Sequence, residues 1–205
     1  MNKEFWLNKW KENDIRFHQS KYHPQLEKFG NRFHESTVLV PLCGKTLDML
    51  YLAAHGHEVV GVELSPIACQ DFFVENGLVF TETKIEEFIL FESEGLQIWC
   101  GDYFKLPQTV WDRITGIYDR AALVALPSDM RKSYASEIFK RTREKKLDIL
   151  LISFEYPQDL TAGPPHSVEA QEIKDLYPLL SVELLHEESQ MLRGNEVKET
   201  VYWLK

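Results

Sequence analysis

The chain has 205 residues, of which 44% are hydrophobic and 27% charged, values typical of a globular protein with one sizeable core. Its formal net charge of −9 argues against binding to nucleic acid, because such binding usually needs a basic face. No stretch is apolar for long enough to span a bilayer, and the start MNKEFWLNKW lacks an apolar signal core, so we expect a cytoplasmic protein that binds no membrane.

The three cysteines, Cys43, Cys69 and Cys100, are odd in number and far apart in the sequence. They predict neither a disulfide framework nor a metal site, and small core residues are the simpler interpretation. We expect a monomer that acts on a small molecule.

The N-terminal stretch FWLNKWKEN predicts a helix that carries Phe5, Trp6 and Trp10 among lysines. This is more aromatic than a helix that faces only solvent, so the rings should cover either the rest of the domain or a ligand. A loop, DIRFHQSKYHP, and a second helix in PQLEKFGNRF follow.

The apolar run Val38–Val40 predicts a strand buried on both faces, which Pro41 ends because proline lacks a ladder donor. After Gly44 the apolar residues recur at helical spacing, with Thr46 as the predicted N-cap and Gly56 as the terminator. A helix that starts in this turn presents unpaired N–H groups, which suit a carboxylate or a phosphate.

Glu63 closes the next predicted strand, HEVVGVEL, and lies 19 residues after Gly44. This spacing fits the acidic residue that accepts hydrogen bonds from a ribose in nucleotide-binding βαβ units, although a solvated glutamate at a strand end fits equally. The turn lacks GxGxxG, and Leu39 occupies the place of the first glycine of a phosphate loop. A nucleoside with a small charged tail therefore suits the turn better than a dinucleotide or a triphosphate.

Strands and helices alternate through the rest of the chain. Ser65 and Ser128 each begin a predicted helix, and LQIWC, the start of ITGIYDRAALVALP, and LDILLISFEY are predicted strands. A helix in SVEAQEIKDLYPLL precedes an antiparallel pair, VELLHEESQ and VKETVYWL, around Gly194-Asn195. The alternation predicts one α/β domain over residues 1–205 with a doubly wound, mostly parallel sheet.

Polar side chains follow the carboxyl ends of these strands, which is the edge where doubly wound sheets bind their ligands. The residues at these ends are Thr46, Glu63, Asp102, Asp119 and Arg120. Because these five residues follow four different apolar segments, core packing alone does not explain the set, and it predicts a binding site.

VLVPLCGK, GHEVVGVELS, CGDYF, YDRAALVALP and GPPHSV occur in this order after FWLNKW, and together they resemble the thiopurine S-methyltransferase family over nearly the whole chain. The resemblance implies S-adenosylmethionine-dependent transfer of a methyl group to the sulfur of small aromatic or heterocyclic thiols. It also implies a class I methyltransferase-like, seven-stranded sheet with an antiparallel last strand. A helical cap of residues 1–35 would cover the cofactor site.

The resemblance also implies which residues bind the ligands. The cofactor-binding positions carried over from the family motifs are Trp10, Leu42, Gly44, Glu63, Asp102, Tyr103 and Arg120. Arg120 is the expected catalytic residue, a cation that holds the acceptor thiolate, while Phe17 and His18 complete the substrate pocket. Neither a metal nor a protein nucleophile is expected, because a sulfonium methyl is already activated and positioning does most of the catalysis.

Three positions depart from the family pattern and bear on the acceptor. Arg16 stands where glycine is common, Tyr51 replaces a common tryptophan, and His166 replaces the phenylalanine of GPPFSV. Methylation of small selenium or tellurium species remains an alternative, as does a cofactor-binding protein without transfer activity. A base role for His18 or His166 stays open beside a surface role, whereas the missing glycines disfavour a nicotinamide-dependent dehydrogenase.

Overall fold

The computed structural model describes residues 3–34, 36–142 and 145–205. Residues 1, 2 and 35 of the predicted N-terminal cap therefore lie outside the described residues. The chain forms two compact units, one that ends at Ile114 and one from Thr115 to Lys205. Within the described ranges, no helix is both long and apolar enough to cross a membrane.

The first unit combines helices with a five-stranded arrangement in the order β3-β4-β5-β2-β1. Its helices are α1 (Lys3–Lys11), α2 (Pro24–Phe29), α3 (Asp48–Ala54), α4 (Pro66–Glu75) and α5 (Gln108–Trp111), and its strands are β1 (Thr37–Pro41), β2 (Glu58–Glu63), β3 (Thr81–Ile85), β4 (Phe88–Ser93) and β5 (Leu96–Cys100). β2 pairs in parallel with both β1 and β5, whereas β4 pairs antiparallel with β3 and β5. The carboxyl ends of β1, β2 and β5 therefore point the same way.

The predicted strand–helix unit around β2 is confirmed. Ser65 caps α4 by accepting a hydrogen bond from the Ala68 N–H at 3.3 Å, and Pro66 occupies the first turn, where its missing N–H costs nothing. Phe72 and Phe73 of α4 are fully buried. This burial of apolar surface fixes the helix on the sheet and fixes the position at which β2 ends.

The second unit has four strands in the order β6-β7-β9-β8. Its elements are β6 (Gly116–Asp119), α6 (Ala122–Ala125), α7 (Ser128–Thr142), β7 (Asp148–Glu155), α8 (Ala170–Leu176), β8 (Val182–Leu192) and β9 (Asn195–Leu204). β6 and β7 are parallel, and β9 is antiparallel to β7 and β8, so the predicted antiparallel last strand is present. The hairpin turn is Arg193-Gly194, both at positive φ, rather than the predicted Gly194-Asn195.

The strand count and pairing differ from the expected mostly parallel sheet of seven strands. The described residues form nine strands with mixed pairing, because β3 and β4 make an antiparallel hairpin where no strand was predicted. Every residue of β3 before Ile85 is exposed, so its sequence TETKI lacks the alternation of a half-buried strand. The β3–β4 hairpin belongs to the sheet because β4 pairs with β5, and the sequence of β3 alone does not predict that pairing.

Candidate functional site

The turn after β1 is built around two residues with left-handed backbone conformations. Leu42 has a φ of 49° and Gly44 a φ of 52°, and the intervening Cys43 N–H donates to the Val62 carbonyl at 3.0 Å. A left-handed leucine is strained, because its Cβ crowds the backbone, and such strain often marks a functional turn. The turn therefore departs from ordinary backbone geometry at a position predicted to meet the cofactor.

Glu63 is the central polar residue of this site. Its Oε2 accepts a hydrogen bond from the Gly44 N–H at 2.9 Å, and its Oε1 accepts one from the Ser65 N–H at 2.8 Å. The residue is only 6% exposed, and burial raises the pKa of its carboxyl although the backbone N–H groups oppose that shift. Each carboxylate oxygen keeps acceptor capacity, so the group fits a pair of ribose hydroxyls.

Trp10 of α1 lies directly on this turn. A Cβ placed at Gly44 would come within 2.9 Å of Trp10 Cζ2, so only glycine allows so close an approach. Trp10 is 6% exposed and packs edge-on against Phe17, which also contacts Trp6. The structure thus brings the predicted cofactor residue Trp10 beside the predicted substrate residue Phe17, with His18 next in the chain.

Asp102 and Tyr103 follow the carboxyl end of β5. The Gly101 N–H donates to the Glu63 carbonyl at 2.8 Å, and this bond joins the end of β5 to the end of β2. Asp102 Oδ1 accepts from the Phe104 N–H at 3.0 Å and so shapes the short 3₁₀ turn at Tyr103–Lys105. The Tyr103 ring is buried. Asp102 is thereby placed next to the end of the strand that carries Glu63, and its adenine contact stays a prediction.

The start of α3 differs from the prediction. The helix begins at Asp48 after a Leu47 cap, not at Thr46, although Thr46 Oγ1 still accepts from the Asp48 N–H at 3.3 Å. The Asp48 carboxylate is buried in the first turn and accepts from the His23 N–H at 2.8 Å. The Asp48 carboxylate therefore joins the start of α3 to His23, and the predicted contact of this helix start with an anion stays a prediction.

Lys45, which follows Gly44 in the turn, pairs with acidic side chains of α4. Its Nζ lies 2.6 Å from Glu75 Oε1 and 3.4 Å from Asp71 Oδ2. The exclusion of a triphosphate stays a prediction.

In the second unit, Arg120 follows β6 in a turn that Asp119 holds. Asp119 Oδ1 accepts from the N–H groups of Ala122 and Leu123 at 3.0 and 3.1 Å, and Oδ2 accepts from the Tyr134 hydroxyl at 2.7 Å. Burial raises the pKa of Asp119 to about 6 despite these hydrogen bonds. These hydrogen bonds of the Asp119 carboxylate thus fix the turn, and the ligand role of Arg120 stays a prediction.

Tyr134 is a site-shaping residue that the sequence did not reveal, since its helical spacing marks it only as a core position. Its hydroxyl reaches Asp119 from α7, 15 residues away. A buried tyrosine needs a partner for its hydroxyl, and this requirement is the only sequence signal that points to such a contact.

The three cysteines are buried free thiols, as expected of core residues. Burial raises the pKa of Cys43 and Cys69 well above the usual thiol value, which makes the nucleophilic thiolate rare. Neither of these two thiols suits a nucleophilic role.

The three departures from the family pattern lie in different surroundings. The Arg16 side chain is 87% exposed, and the Tyr51 ring stacks on His55 at 4.0 Å between centroids. The His166 N–H donates to the Val124 carbonyl at 2.6 Å, which holds the GPPHSV loop to α6 in the second unit. Of the three, only His166 lies in the second unit, where its segment follows the carboxyl end of β7.

Comparison with known proteins agrees with the motif pattern. A family model described as thiopurine S-methyltransferase matches residues 1–205. The chain is 38% identical over 218 residues to the thiopurine S-methyltransferase of Methylococcus capsulatus, covering 100% of this chain and 98% of that protein. It is 43% identical over 180 residues to the Bordetella parapertussis thiopurine S-methyltransferase, covering 86% and 82%.

Solved structures agree on the fold. An S-adenosylmethionine-dependent methyltransferase from Anabaena variabilis superposes with a TM-score of 0.64 at 14% identity, covering 98% of this chain and 93% of that one. A Burkholderia thailandensis 1,6-didemethyltoxoflavin-N1-methyltransferase, solved with S-adenosylhomocysteine, gives 0.65 at 14%, covering 98% and 86%. At these identities the likeness concerns the α/β fold alone.

Proposed function

Because this chain belongs to the thiopurine S-methyltransferase family and is an S-adenosylmethionine-dependent S-methyltransferase, we propose that its acceptors are small aromatic and heterocyclic thiols. The observation that carries this proposal is the ring cluster of Trp6, Trp10 and Phe17 beside the Gly44 turn. Phe17 is 44% exposed, so an apolar aromatic face is available next to the cofactor turn. Flat acceptors gain most from such a face.

The cofactor would be held chiefly by the first unit. Glu63 would accept hydrogen bonds from the ribose hydroxyls, because its two backbone donors fix both oxygens in place. Asp102 and Tyr103 would meet the adenine, Trp10 would cover the cofactor, and the Leu42 turn would approach its amino-acid part. Residues 1–35 would then act as a cap over this site.

When bound, S-adenosylmethionine supplies an activated methyl group on a sulfonium. The acceptor sulfur attacks best as a thiolate, and acidic aryl and heteroaryl thiols are largely ionised near neutral pH, so no strong base is required. We assign Arg120 to hold this thiolate, because the positive charge and planar donors of a guanidinium stabilise a thiolate that is already ionised. Phe17 and His18 would orient the ring, so that positioning lowers the barrier.

Family membership speaks against the reading of a cofactor-binding protein without transfer activity. Methylation of small selenium or tellurium species would use the same cofactor residues, so only an activity measurement can distinguish these acceptors from thiols.

The deciding experiment is a panel of acceptors with methyl-labelled S-adenosylmethionine: thiophenol, 2-mercaptopyrimidine, 2-mercaptoethanol, phenol and selenite. We expect the two aromatic thiols to be methylated at least ten-fold more efficiently than the others. Preference for selenite or for 2-mercaptoethanol would overturn the proposed acceptor class.

Arg120→Lys tests the catalytic assignment in the same assay. Lysine keeps the charge but loses the planar fork, so turnover should fall by about ten-fold or more while affinity for S-adenosylhomocysteine changes less. The matched control is Arg113→Lys, another arginine whose side chain is 43% exposed and lies before β6. Equal turnover in both variants would assign the role to another residue.

A further inference from the structure

A cavity of about 420 Å³ opens in the second unit beside the first turns of α7 and α8. Its volume lies within the range of about 300–1,000 Å³ that is usual for small-molecule sites. Arg131, Glu172 and His166 contribute polar groups to its wall, while Tyr156 and Pro127 contribute flat apolar surface. Apart from His166, for which a base role was left open, none of the lining residues is among those proposed for the cofactor or the acceptor.

Arg131 gives the cavity a buried donor. The residue is only 3% exposed; its Nε donates to the Leu126 carbonyl at 3.0 Å, and its Nη1 donates to both Glu172 oxygens at 2.8 and 2.7 Å. Among the described residues, Nη2 has no protein acceptor. Nη2 is not one of the fully buried polar atoms that lack a partner, so it keeps contact with solvent, and in the cavity that Arg131 lines a ligand can take the place of that solvent.

A loop held by its own hydrogen bonds forms another part of the wall. The Gln158 amide spans it, since its Nε2 donates to the Thr161 carbonyl at 2.8 Å and its Oε1 accepts from the Ser167 N–H at 2.9 Å. The Tyr156 hydroxyl also donates to the Pro165 carbonyl. Because these bonds fix the loop before any ligand arrives, binding would cost little ordering of the wall.

The charges on the wall select against anions. Glu169 and Glu172 outnumber the single cation Arg131. Burial, aided by the charge of Arg131, lowers the pKa of His166, so that its ring is neutral near pH 7. A ligand that is uncharged and planar avoids repulsion by the carboxylates and suits the flat surfaces of Tyr156 and Pro127.

We propose that this cavity binds the lactam edge of a small uncharged heterocycle, that is, a ring carbonyl next to a ring N–H. Arg131 Nη2 donates to the carbonyl, and Glu172 accepts from the N–H with the lone pairs that Arg131 leaves over. The neighbouring donor and acceptor match the two atoms of that edge.

The test uses three probes that share one ring. Uracil carries the lactam edge, 1,3-dimethyluracil lacks its N–H groups, and orotate adds a negative charge. The full chain, labelled with ¹⁵N, is titrated with each, and backbone shifts are followed at residues 127–131, 156–158 and 166–172. We expect uracil to shift these signals and to bind about ten-fold more tightly than either of the other probes, because 1,3-dimethyluracil loses the hydrogen bond to Glu172 and orotate is repelled by the carboxylates of the wall.

Two variants separate the site from general effects. Ser128→Phe fills the cavity from an exposed position without removing Arg131, and should weaken uracil binding about ten-fold or more. Lys132→Ala is the matched control on the same helix, since Lys132 is exposed and does not line the cavity, and should leave binding unchanged. Glu172→Gln keeps an oxygen for Arg131 but removes the charge, so the preference for uracil over orotate should shrink.

Three results would overturn the proposal. One is no shift at these residues up to the solubility limit of uracil, and another is equal uracil affinity in Ser128→Phe and Lys132→Ala. The third is binding of 1,3-dimethyluracil or orotate as tight as that of uracil. All are binding measurements, so they are unaffected by whether the acceptor panel shows methyl transfer.

Discussion

Glu63 is the residue at which the fold and the proposed ribose contact depend on the same carboxylate. Each of its oxygens already accepts one backbone N–H, from Gly44 and from Ser65, and these bonds hold it in one orientation while burial raises its pKa. A carboxylate that is fixed in this way pays little further ordering cost when it accepts ribose hydroxyls. Because the same carboxylate would also bind the ribose, replacing Glu63 should weaken cofactor binding.

Glu63→Gln is therefore expected to weaken binding of S-adenosylhomocysteine by about 1.5–3 kcal/mol, which is ten-fold or more, because one accepting oxygen becomes a donor. Isothermal calorimetry on the folded variant measures this directly. Glu82→Gln is the matched control, since Glu82 is an exposed glutamate on β3. A folded Glu63→Gln variant with the affinity of Glu82→Gln would remove Glu63 from the cofactor site.

Asp119 makes stability depend on pH in an unusual direction. Burial raises its pKa from 3.8 to about 6 in the folded protein, so the native state binds the proton more tightly than the unfolded chain does. Its contribution to the free energy of unfolding is fully present below about pH 4 and is lost as pH rises through 6. At about 1.4 kcal/mol per pKa unit, the loss is roughly 3 kcal/mol.

Asp119→Asn removes this titration while its amide oxygen can still accept from Ala122 and Leu123. We expect the free energy of unfolding of the wild type, minus that of the variant, to fall by roughly 3 kcal/mol between pH 4 and pH 7. Urea unfolding at four pH values across this window measures the difference. A difference that stays constant or rises with pH would contradict the buried, proton-retaining carboxyl.

At the scale of elements, the turn after β1 depends on the contact between α1 and Gly44. Gly44→Ala should cost stability twice, through its positive φ of 52° and through the clash of the new Cβ with Trp10, 2.9 Å away. Gly56→Ala is the matched control, because Gly56 also has a positive φ, 84°, but no atom lies within 4 Å of the new Cβ.

We expect Gly56→Ala to lower the free energy of unfolding by about 1 kcal/mol, as backbone strain alone predicts, and Gly44→Ala to lower it by at least about 2 kcal/mol. Only Gly44→Ala should also change the tryptophan emission, since Trp10 must shift. Equal losses in the two variants, with unchanged emission, would show that α1 does not rest on this turn.

These elements also show what the sequence can and cannot predict. β1 and β2 were predictable because continuous apolar runs are typical of buried parallel strands, and the ends of these runs correctly located Glu63. β3 was not predictable, since its pairing with β4 rather than its own burial holds it in the sheet. The start of α3 was misplaced because Asp48 is held by His23, a contact over 25 residues that no local pattern contains.

For the same reason, the sequence did not predict the roles of residues whose partners lie far away in the chain. Asp119 was marked as a polar strand end, but its partner Tyr134 lies in α7 and only the fold reveals that the carboxylate is internally satisfied. Arg131 lines the cavity, yet in the sequence it looks like an ordinary helix residue. Its partner Glu172 lies on another helix, so no local pattern shows that this pair joins α7 to α8.

At the scale of the whole molecule, the net charge of −9 opposes the anionic acceptors that the chemistry prefers. Under the proposed function, a thiolate would approach Arg120 against a negative field, and an acceptor with a second negative charge would be repelled more strongly. Salt weakens such long-range repulsion, since the Debye length falls from roughly 20 Å in 20 mM salt to about 7 Å in 200 mM, by the scaling between tabulated values. A contact with a nearby cation is screened much less.

The comparison of thiophenol with 4-mercaptobenzoate isolates this effect, because the two differ by one carboxylate. With saturating S-adenosylmethionine, kcat/KM for 4-mercaptobenzoate divided by that for thiophenol should rise about two- to three-fold from 20 to 200 mM salt. Thiophenol serves as the internal control for general salt effects on the enzyme. A ratio that falls with salt would mean that attraction to a local cation outweighs the negative field of the molecule, and the net charge would then not limit the acceptor range.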